Sequence, residues 1–141
     1  MQQPFDLSGQ VVAITGASSG FGHHFAGVLA EAGAKVILGA RRTNKLAARV
    51  EEIIAGGGEA AAAALDVREK DSIGAFLDVA YDTYGRLDCV INNAGVEAGA
   101  KTYHTIDEED WDFVLDTNLK SAWLVSKLYT DRVVAHKQDG G

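Results

Sequence analysis

The sequence predicts an α/β fold built on a doubly wound, parallel β-sheet, and three observations predict it. Short apolar runs alternate with segments of helical periodicity, a glycine-rich segment joins the first apolar run to the first helical segment, and the fourth apolar run is short and continuous. Strands joined by helix-length segments pair in parallel through right-handed crossovers. A continuous apolar run is typical of a strand that is buried on both faces.

The predicted elements follow one another in regular order. We expect strands at residues 11–15, 35–40, 59–65 and 87–92. Apolar periodicity predicts helices at residues 21–32, 44–55 and 70–84, which end at Gly33, at the glycines of residues 56–58 and at Gly85. A long last helix is predicted because Thr105 and Glu108 have capping-box spacing. One face of this helix is apolar, and its members are Trp111, Val114, Leu115, Leu119, Ala122 and Val125.

Four parallel strands of this kind take the order 3-2-1-4, with a crevice between the first and fourth strands, where the order reverses. The glycine-rich segment and residues 92–95 follow these two strands, so we expect them to meet at the crevice. Residues 139–141 are interpreted as the lead-in to a fifth strand. We therefore expect a domain at residues 1–141 that is truncated before this strand, which leaves the edge of the fourth strand exposed.

Composition limits the classes of partner. The chain has 141 residues, enough for one domain, and a net charge of −7 without a basic cluster, which argues against nucleic acid or an anionic membrane as partner. A single cysteine, Cys89, excludes an internal disulfide and favours a reducing compartment. We find no signal-peptide pattern at residues 1–4 and no apolar run of transmembrane length, so we expect a cytoplasmic protein.

The glycine-rich segment, residues 15–22, reads Thr-Gly-Ala-Ser-Ser-Gly-Phe-Gly. In a strand-to-helix turn, Gly16 permits a tight turn, Gly20 lets the backbone approach a pyrophosphate, and Gly22 lets the helix and strand pack closely. The free amides at the start of the helix then face the anion. The segment therefore indicates a dinucleotide site.

Four motifs together resemble the short-chain dehydrogenase/reductase family, which has a Rossmann-like fold. They are the Thr15–Gly16–Gly20–Gly22 pattern, Asp66 with Val67 after the third strand, the segment of residues 92–95 after the fourth, and Asn118 in the last helix. One glycine motif alone is weak evidence, whereas four in register are specific. The resemblance implies hydride transfer between nicotinamide and a ketone or secondary alcohol, such as a sugar acid, a polyol or a 3-oxoacyl thioester.

The resemblance also implies roles for individual residues. The phosphates and adenosine of the cofactor would lie against Gly16, Ser18, Ser19, Gly20, Phe21 and Gly22, where relatives usually have Ile or Leu in place of Phe21. Asp66 would accept a hydrogen bond from the adenine amino group, with Val67 against the ring. Asn93, Ala94 and Gly95 would lie along the nicotinamide half. Asn118 would bend its helix locally and hold a water in a proton relay.

The end of the second strand predicts the choice of cofactor. An acidic residue there binds the ribose 2′-hydroxyl of NAD, whereas arginine accommodates the 2′-phosphate of NADP. The chain has Ala40 followed by Arg41 and Arg42, and a guanidinium forms bidentate bonds with phosphate. We therefore predict a preference for NADP(H), with NAD(H) as the alternative. Ser19 occupies a position where NADP-preferring relatives often have a basic residue.

Catalysis in the resembled family uses a serine and a Tyr-x-x-x-Lys pair, and the 141 residues contain no Tyr-x-x-x-Lys. Of the catalytic set, Asn118 alone is present, so we expect the chain by itself to be inactive. The alternatives are a non-catalytic nucleotide-binding or subunit-sequestering module and a nonfunctional fragment. The resemblance implies a small-molecule substrate and a homo-oligomer formed through the last helices, with Trp123 and Tyr129 as exposed anchors.

Simpler interpretations remain for several residues. Arg41 and Arg42 are also compatible with a solvated start of a helix, and Asp66 with a helix N-cap. Asn118 is also compatible with an ordinary buried polar group. We expect no metal site, because adjacent histidines at positions 23 and 24 point in different directions on a helix. Cys89 is interpreted as a small buried hydrophobic residue.

Overall fold

The computed structural model describes residues 5–136, in which parallel strands alternate with helices. The strands are β1 (Val11–Thr15), β2 (Lys35–Ala40), β3 (Glu59–Ala64) and β4 (Cys89–Ile91). The helices are α1 (Gly20–Glu31), α2 (Thr43–Ala55), α3 (Lys70–Tyr84), α4 (Glu108–Leu115) and α5 (Ser121–Ala135). A π-helical segment, Asp116–Lys120, joins α4 to α5.

The four strands form one sheet in the order β3–β2–β1–β4, and every pair is parallel. Ile14 of β1 lies opposite Leu38 of β2 and Ile91 of β4. All the strands therefore end at the same edge of the sheet, and the order reverses between β1 and β4, which opens a crevice there. The predicted Rossmann-like fold and strand order are confirmed.

The two central strands, β1 and β2, are buried on both faces, which explains their continuous apolar runs. Val11 and Ala13 of β1 belong to one core cluster, and the alternate residues Val12 and Ile14 belong to the other. The first cluster is covered by α3 and α5 through Ile73, Phe76, Leu77, Ala80 and Val125. The second cluster is covered by α1 and α2 through Ala26, Leu46 and Ile53. The side chains at the ends of the strands are thus held on a rigid frame.

The fourth strand differs from its prediction. It comprises Cys89–Ile91, not residues 87–92, and in the described part of the chain it pairs with β1 alone. The expectation of an exposed strand edge agrees with this arrangement. The prediction that Cys89 is buried is wrong, because Cys89 lies at the start of this edge strand and is exposed.

The last predicted helix also begins differently. Its N-cap is Asp107: Oδ1 of Asp107 accepts the Asp110 backbone N–H at 2.9 Å, and Oδ2 of Asp110 accepts the Asp107 N–H at 3.2 Å. The Thr105 hydroxyl instead donates to the carbonyl oxygen of Thr102 at 3.0 Å, inside the preceding loop. The predicted capping box at Thr105 and Glu108 is therefore wrong, because two carboxylates cap the helix two residues later.

The predicted single apolar face of this helix is interrupted by the π-helical segment. Each hydrogen bond of a π-helix spans one residue more than an α-helical bond, so a face that begins in α4 does not continue in register into α5. Val125 is fully buried, whereas Trp111 and Leu119 are 61% and 66% exposed. Trp123 is exposed as predicted, but Tyr129 is half-buried and donates its hydroxyl to the carbonyl oxygen of Asp88 at 2.8 Å.

The expectations for residues 1–4 and 139–141 lie outside the described residues. Within residues 5–136, no helix combines the length and the apolar character that crossing a membrane requires.

Candidate cofactor-binding site

A cavity of about 570 Å³ lies at the edge of the sheet where the strands end. Most of the residues that the sequence singles out line it: Gly16, Ser18, Ser19, Phe21, Arg41, Arg42, Asp66, Val67, Asn93, Ala94 and Gly95. Three others, Gly20, Gly22 and Asn118, are not in contact with the cavity. The fold therefore brings residues from the ends of all four strands to one concave surface.

The glycine-rich loop approaches the end of β4 closely. Gly16 has a φ of +69°, and a Cβ on it would lie 2.8 Å from Cα of Ala94. A Cβ on Gly22 would lie 2.5 Å from both the Gly16 carbonyl oxygen and Nδ2 of Asn93. These are distances that side chains do not tolerate, so both positions require glycine. Gly20 has open space around it, and its φ of +58° favours glycine for conformation alone.

The start of α1 presents its first backbone amides next to this loop. Ser19 is the N-cap with extended backbone, its side chain forms no cap hydrogen bond, and the first turn of α1 has no acidic residue. The first amides of a helix have no partner within the helix, and the helix dipole places positive potential there. This arrangement suits an anionic group such as phosphate.

Thr15 and Asn93 connect the two sides of the crevice. The buried Thr15 Oγ1 accepts the backbone N–H groups of Asn93 at 3.0 Å and Ala94 at 2.9 Å. Nδ2 of Asn93 donates to the carbonyl oxygens of Thr15 and Gly16, both at 3.1 Å. The Asn93 amide nitrogen thus holds the glycine-rich loop in place, a structural contact that the sequence did not predict.

The two arginines after β2 have different surroundings. Arg42 donates to the Ser18 hydroxyl from Nε at 3.2 Å and from an Nη at 2.8 Å, and to the Ser19 hydroxyl at 2.7 Å. These bonds attach a guanidinium to the glycine-rich loop. Arg41 is exposed at the cavity wall. The end of β2 therefore places two positive charges beside the loop, in a chain whose overall charge is negative.

Asp66 lies in the turn between β3 and α3. Its Oδ1 accepts the Arg68 backbone N–H at 3.0 Å, and its Oδ2 accepts an Arg68 Nη–H at 3.1 Å. Hydrogen bonds from Arg68 lower the pKa of Asp66, and the charge of Arg41 adds a smaller effect in the same direction, against the opposing effect of burial. The N-cap of α3 is Glu69, so the interpretation of Asp66 as a helix N-cap is wrong.

Asn118 lies in the π-helical segment and bonds the loop after β4. Its Oδ1 accepts the Val96 N–H at 2.7 Å, and its Nδ2 donates to the Val96 carbonyl oxygen at 2.8 Å. Asn118 is exposed, so it is not an ordinary buried polar group. Its position within an irregular helical segment agrees with the predicted local distortion.

Sequence reasoning missed several residues that line the cavity: Leu65, Arg68, Val96, Phe113 and Thr117. Leu65, Arg68 and Val96 adjoin predicted motifs, so their position in the loops at the strand ends is a usable signal. Phe113 and Thr117 are four residues apart, which is the spacing of neighbours on one helix face. Thr117 is buried, and its hydroxyl has no hydrogen-bond partner among the described residues.

Residues 5–136 contain no group of histidine, cysteine and acidic side chains arranged to hold a metal ion.

Known proteins share both this sequence pattern and this fold. The sequence pattern of the short chain dehydrogenase family matches residues 10–141. A 3-oxoacyl-(acyl-carrier-protein) reductase from Synechocystis is 35% identical over 132 residues, which are 93% of this chain and 53% of that protein. The chain spans about half the length of the curated relatives it matches.

Two crystal structures illustrate the likeness in three dimensions. A metagenomic short-chain oxidoreductase in complex with NADP is 40% identical, with a TM-score of 0.84 over 94% of this chain and 60% of that one. A short-chain type dehydrogenase/reductase from Mycobacterium marinum is 32% identical, with a TM-score of 0.90 over 96% of this chain and 55% of that one. Sequence motifs, sheet topology and these relatives agree, and the chain belongs to the short-chain dehydrogenase/reductase family of oxidoreductases.

Proposed function

We propose that this chain binds NADP(H), in preference to NAD(H), as the cofactor-binding part of an oxidoreductase that acts on a ketone or secondary alcohol. The bound cofactor supplies a hydride acceptor or donor at its nicotinamide ring. The substrate of the whole enzyme would be a sugar acid, a polyol or a 3-oxoacyl thioester. Residues 1–141 would form an NAD(P)-binding unit that is incomplete at its C-terminal end, which the partial coverage of longer relatives supports.

The residues that line the cavity fit a dinucleotide. Gly16 and Gly22 leave no room for side chains, and Gly20 leaves open space at the start of α1, where the first backbone amides have no acceptor within the helix. Gly20 and Gly22 would thus shape the phosphate cradle without lining the cavity themselves. The side chains of Ser18, Ser19 and Phe21 would complete it.

The two ends of the cofactor would lie against different elements. Asp66 and Val67 would bind the adenine ring near the end of β3. Asn93, Ala94 and Gly95 would lie along the nicotinamide half near the end of β4. Asn118 would act through its bonds to Val96, which hold the loop after β4, and would position a water for proton transfer.

The preference for NADP(H) is carried by one observation: Arg42 is fixed by the hydroxyls of Ser18 and Ser19, at 2.7–3.2 Å, beside a strand end that has no acidic residue. An oriented guanidinium forms bidentate bonds with phosphate and loses little conformational freedom on binding. Arg41 adds a second positive charge at the same wall. Both features favour the 2′-phosphate over the 2′-hydroxyl of NAD.

The test is an equilibrium titration of the chain with NADPH and NADH. We expect NADPH to bind at least about tenfold more tightly, since charge-assisted hydrogen bonds contribute about 1.5–3 kcal/mol. Arg42→Gln should remove most of this preference, while Lys45→Gln, which removes the same charge from a position outside the cavity, should keep it. NADH that binds as tightly as NADPH would refute the proposed preference.

We also propose that the chain alone binds cofactor without turnover, because its 141 residues contain no Tyr-x-x-x-Lys pair. A mixture of the chain, NADPH and a panel of ketones should show no oxidation of NADPH, and clear turnover would contradict this.

The exposed tryptophans of α4 and α5, Trp111 and Trp123, support self-association through these helices in the longer protein.

A further inference from the structure

Arg68 is bonded to both oxygens of the Asp66 carboxylate. Oδ1 accepts the Arg68 backbone N–H at 3.0 Å and Nε–H at 3.3 Å, and Oδ2 accepts an Nη–H at 3.1 Å. Both side chains line the cavity and are less than half exposed, at 40% for Arg68 and 29% for Asp66. A carboxylate that is held at both oxygens by one planar guanidinium has little freedom to rotate.

The aromatic ring of Phe113 contacts the same guanidinium. The Cζ atom of Arg68 lies 5.5 Å from the centroid of the Phe113 ring, within the range of a cation–π contact. Phe113 belongs to α4, whereas Arg68 belongs to the turn between β3 and α3. The arginine is therefore fixed between two elements that are distant in sequence.

In this arrangement the Asp66 carboxylate can accept one more hydrogen bond. Each carboxylate oxygen accepts about two hydrogen bonds, and Oδ2 accepts only one among the described residues. Arg68, and to a lesser extent Arg41, lower the pKa of Asp66, so the group is ionised and purely an acceptor at neutral pH. An ionised carboxylate attracts an amine and repels a carbonyl oxygen.

We propose that Arg68, seated on the Phe113 ring, is a positioning residue that aims the Asp66 carboxylate at the exocyclic amine of the cofactor's purine, so that the cavity selects a 6-aminopurine over a 6-oxopurine. The inference rests on the proposed function, because it requires that the adenine end of the cofactor lies at Asp66. It assigns to Arg68 and Phe113 a share in cofactor selection.

The test compares two cofactors in the same cavity: NADPH and its hypoxanthine counterpart, in which a carbonyl oxygen replaces the adenine amine. We expect the unaltered chain to bind NADPH about tenfold more tightly, because a site built to bond an amine is left with an unpaired acceptor by the oxo compound. The measured quantity is the ratio of the two dissociation constants, that of the hypoxanthine compound divided by that of NADPH. In Arg68→Gln this ratio should fall close to one. A general loosening of the structure would weaken both cofactors alike and leave the ratio unchanged.

Two further variants separate positioning from folding. Arg68→Lys keeps the positive charge but loses the planar guanidinium that bonds both carboxylate oxygens. Phe113→Leu keeps an apolar side chain but loses the aromatic ring. Both variants should give intermediate ratios. Arg86→Gln is the matched control, because Arg86 also bonds an aspartate two residues away, Asp88, but lies outside the cavity. It should keep the ratio of the unaltered chain. Thermal melting of each variant shows that it is folded.

Each outcome is decisive. A ratio of about ten that falls in Arg68→Gln and persists in Arg86→Gln supports the inference. A ratio that stays unchanged in Arg68→Gln and Arg68→Lys, or a ratio near one in the unaltered chain, overturns the inference and leaves the proposed function standing. Failure of the unaltered chain to bind either cofactor overturns both.

Discussion

Replacement of Thr15 by valine tests how the two sides of the crevice are held together. The Thr15 side chain is 1% exposed, and its Oγ1 accepts two backbone N–H groups, from Asn93 at 3.0 Å and Ala94 at 2.9 Å. The hydroxyl also donates to the Ile91 carbonyl oxygen at 3.4 Å. Valine keeps the β-branched shape that suits a strand and removes the oxygen, so the Ala94 N–H loses its acceptor. The Asn93 N–H keeps a second acceptor, the Ile91 carbonyl oxygen at 3.0 Å.

The expected magnitude follows from these two bonds. A protein hydrogen bond contributes about 1 kcal/mol net, and a buried donor without a partner costs about 1–3 kcal/mol. Asn93 and Ala94 are half-buried, so water replaces part of each lost bond. One N–H group is left without an acceptor and the other loses one of two, so we expect Thr15→Val to lower the free energy of unfolding by about 2–3 kcal/mol. For a chain of this length, that is a fall in Tm of roughly 8–12 °C.

The assay is denaturant unfolding followed by far-UV circular dichroism, with Thr15→Ser as the matched control. Serine keeps the oxygen and loses one methyl group, which costs about 1 kcal/mol. Because the same bonds position residues 93 and 94 at the cavity, Thr15→Val should also weaken NADPH binding more than Thr15→Ser does. If valine proves no more destabilising than serine, the Thr15 hydroxyl does not hold the ends of β1 and β4 together.

Two further predictions test the glycine-rich loop and the strand edge. Gly22→Ala should lower the free energy of unfolding by about 3 kcal/mol, because its Cβ would lie 2.5 Å from the Gly16 carbonyl oxygen. Gly20 lies in open space, so Gly20→Ala should lower it by only about 1 kcal/mol, the cost of the positive φ. Equal losses in denaturant unfolding would argue against close packing at Gly22. Cys89 is exposed as a residue, but neighbouring atoms partly exclude water from its sulfur. This desolvation, and then the charge of Asp88, raise the pKa of the Cys89 thiol, and the thiolate is the reactive form. Alkylation by iodoacetamide at pH 7 should therefore be slower in the folded chain than in guanidinium, with the difference shrinking as the pH rises; equal rates at pH 7 would contradict this.

Local sequence patterns predicted most of the fold. β1, β2 and α3 begin and end at the predicted residues, because apolar periodicity and flanking glycines mark these elements. The cavity-lining residues in the strand-end loops were also predictable, since parallel strands all end at one edge. The capping of α4 by Asp107 and Asp110 was not, because several residue pairs near that helix start have suitable spacing and packing of the loop selects one of them.

The sequence by itself determined the order of the elements, because periodicity and glycine positions are local properties of the chain. It also determined the strand order and the loops that meet at the crevice, because these follow from the handedness of the crossovers between parallel strands. Only the tertiary structure decided which side chains meet there. The contact of Arg68 with the Phe113 ring and the bonds of Asn93 to the Thr15 and Gly16 carbonyls join residues that are distant in the chain. No local spacing encodes such pairs, since they depend on how helices and strands pack around a shared core.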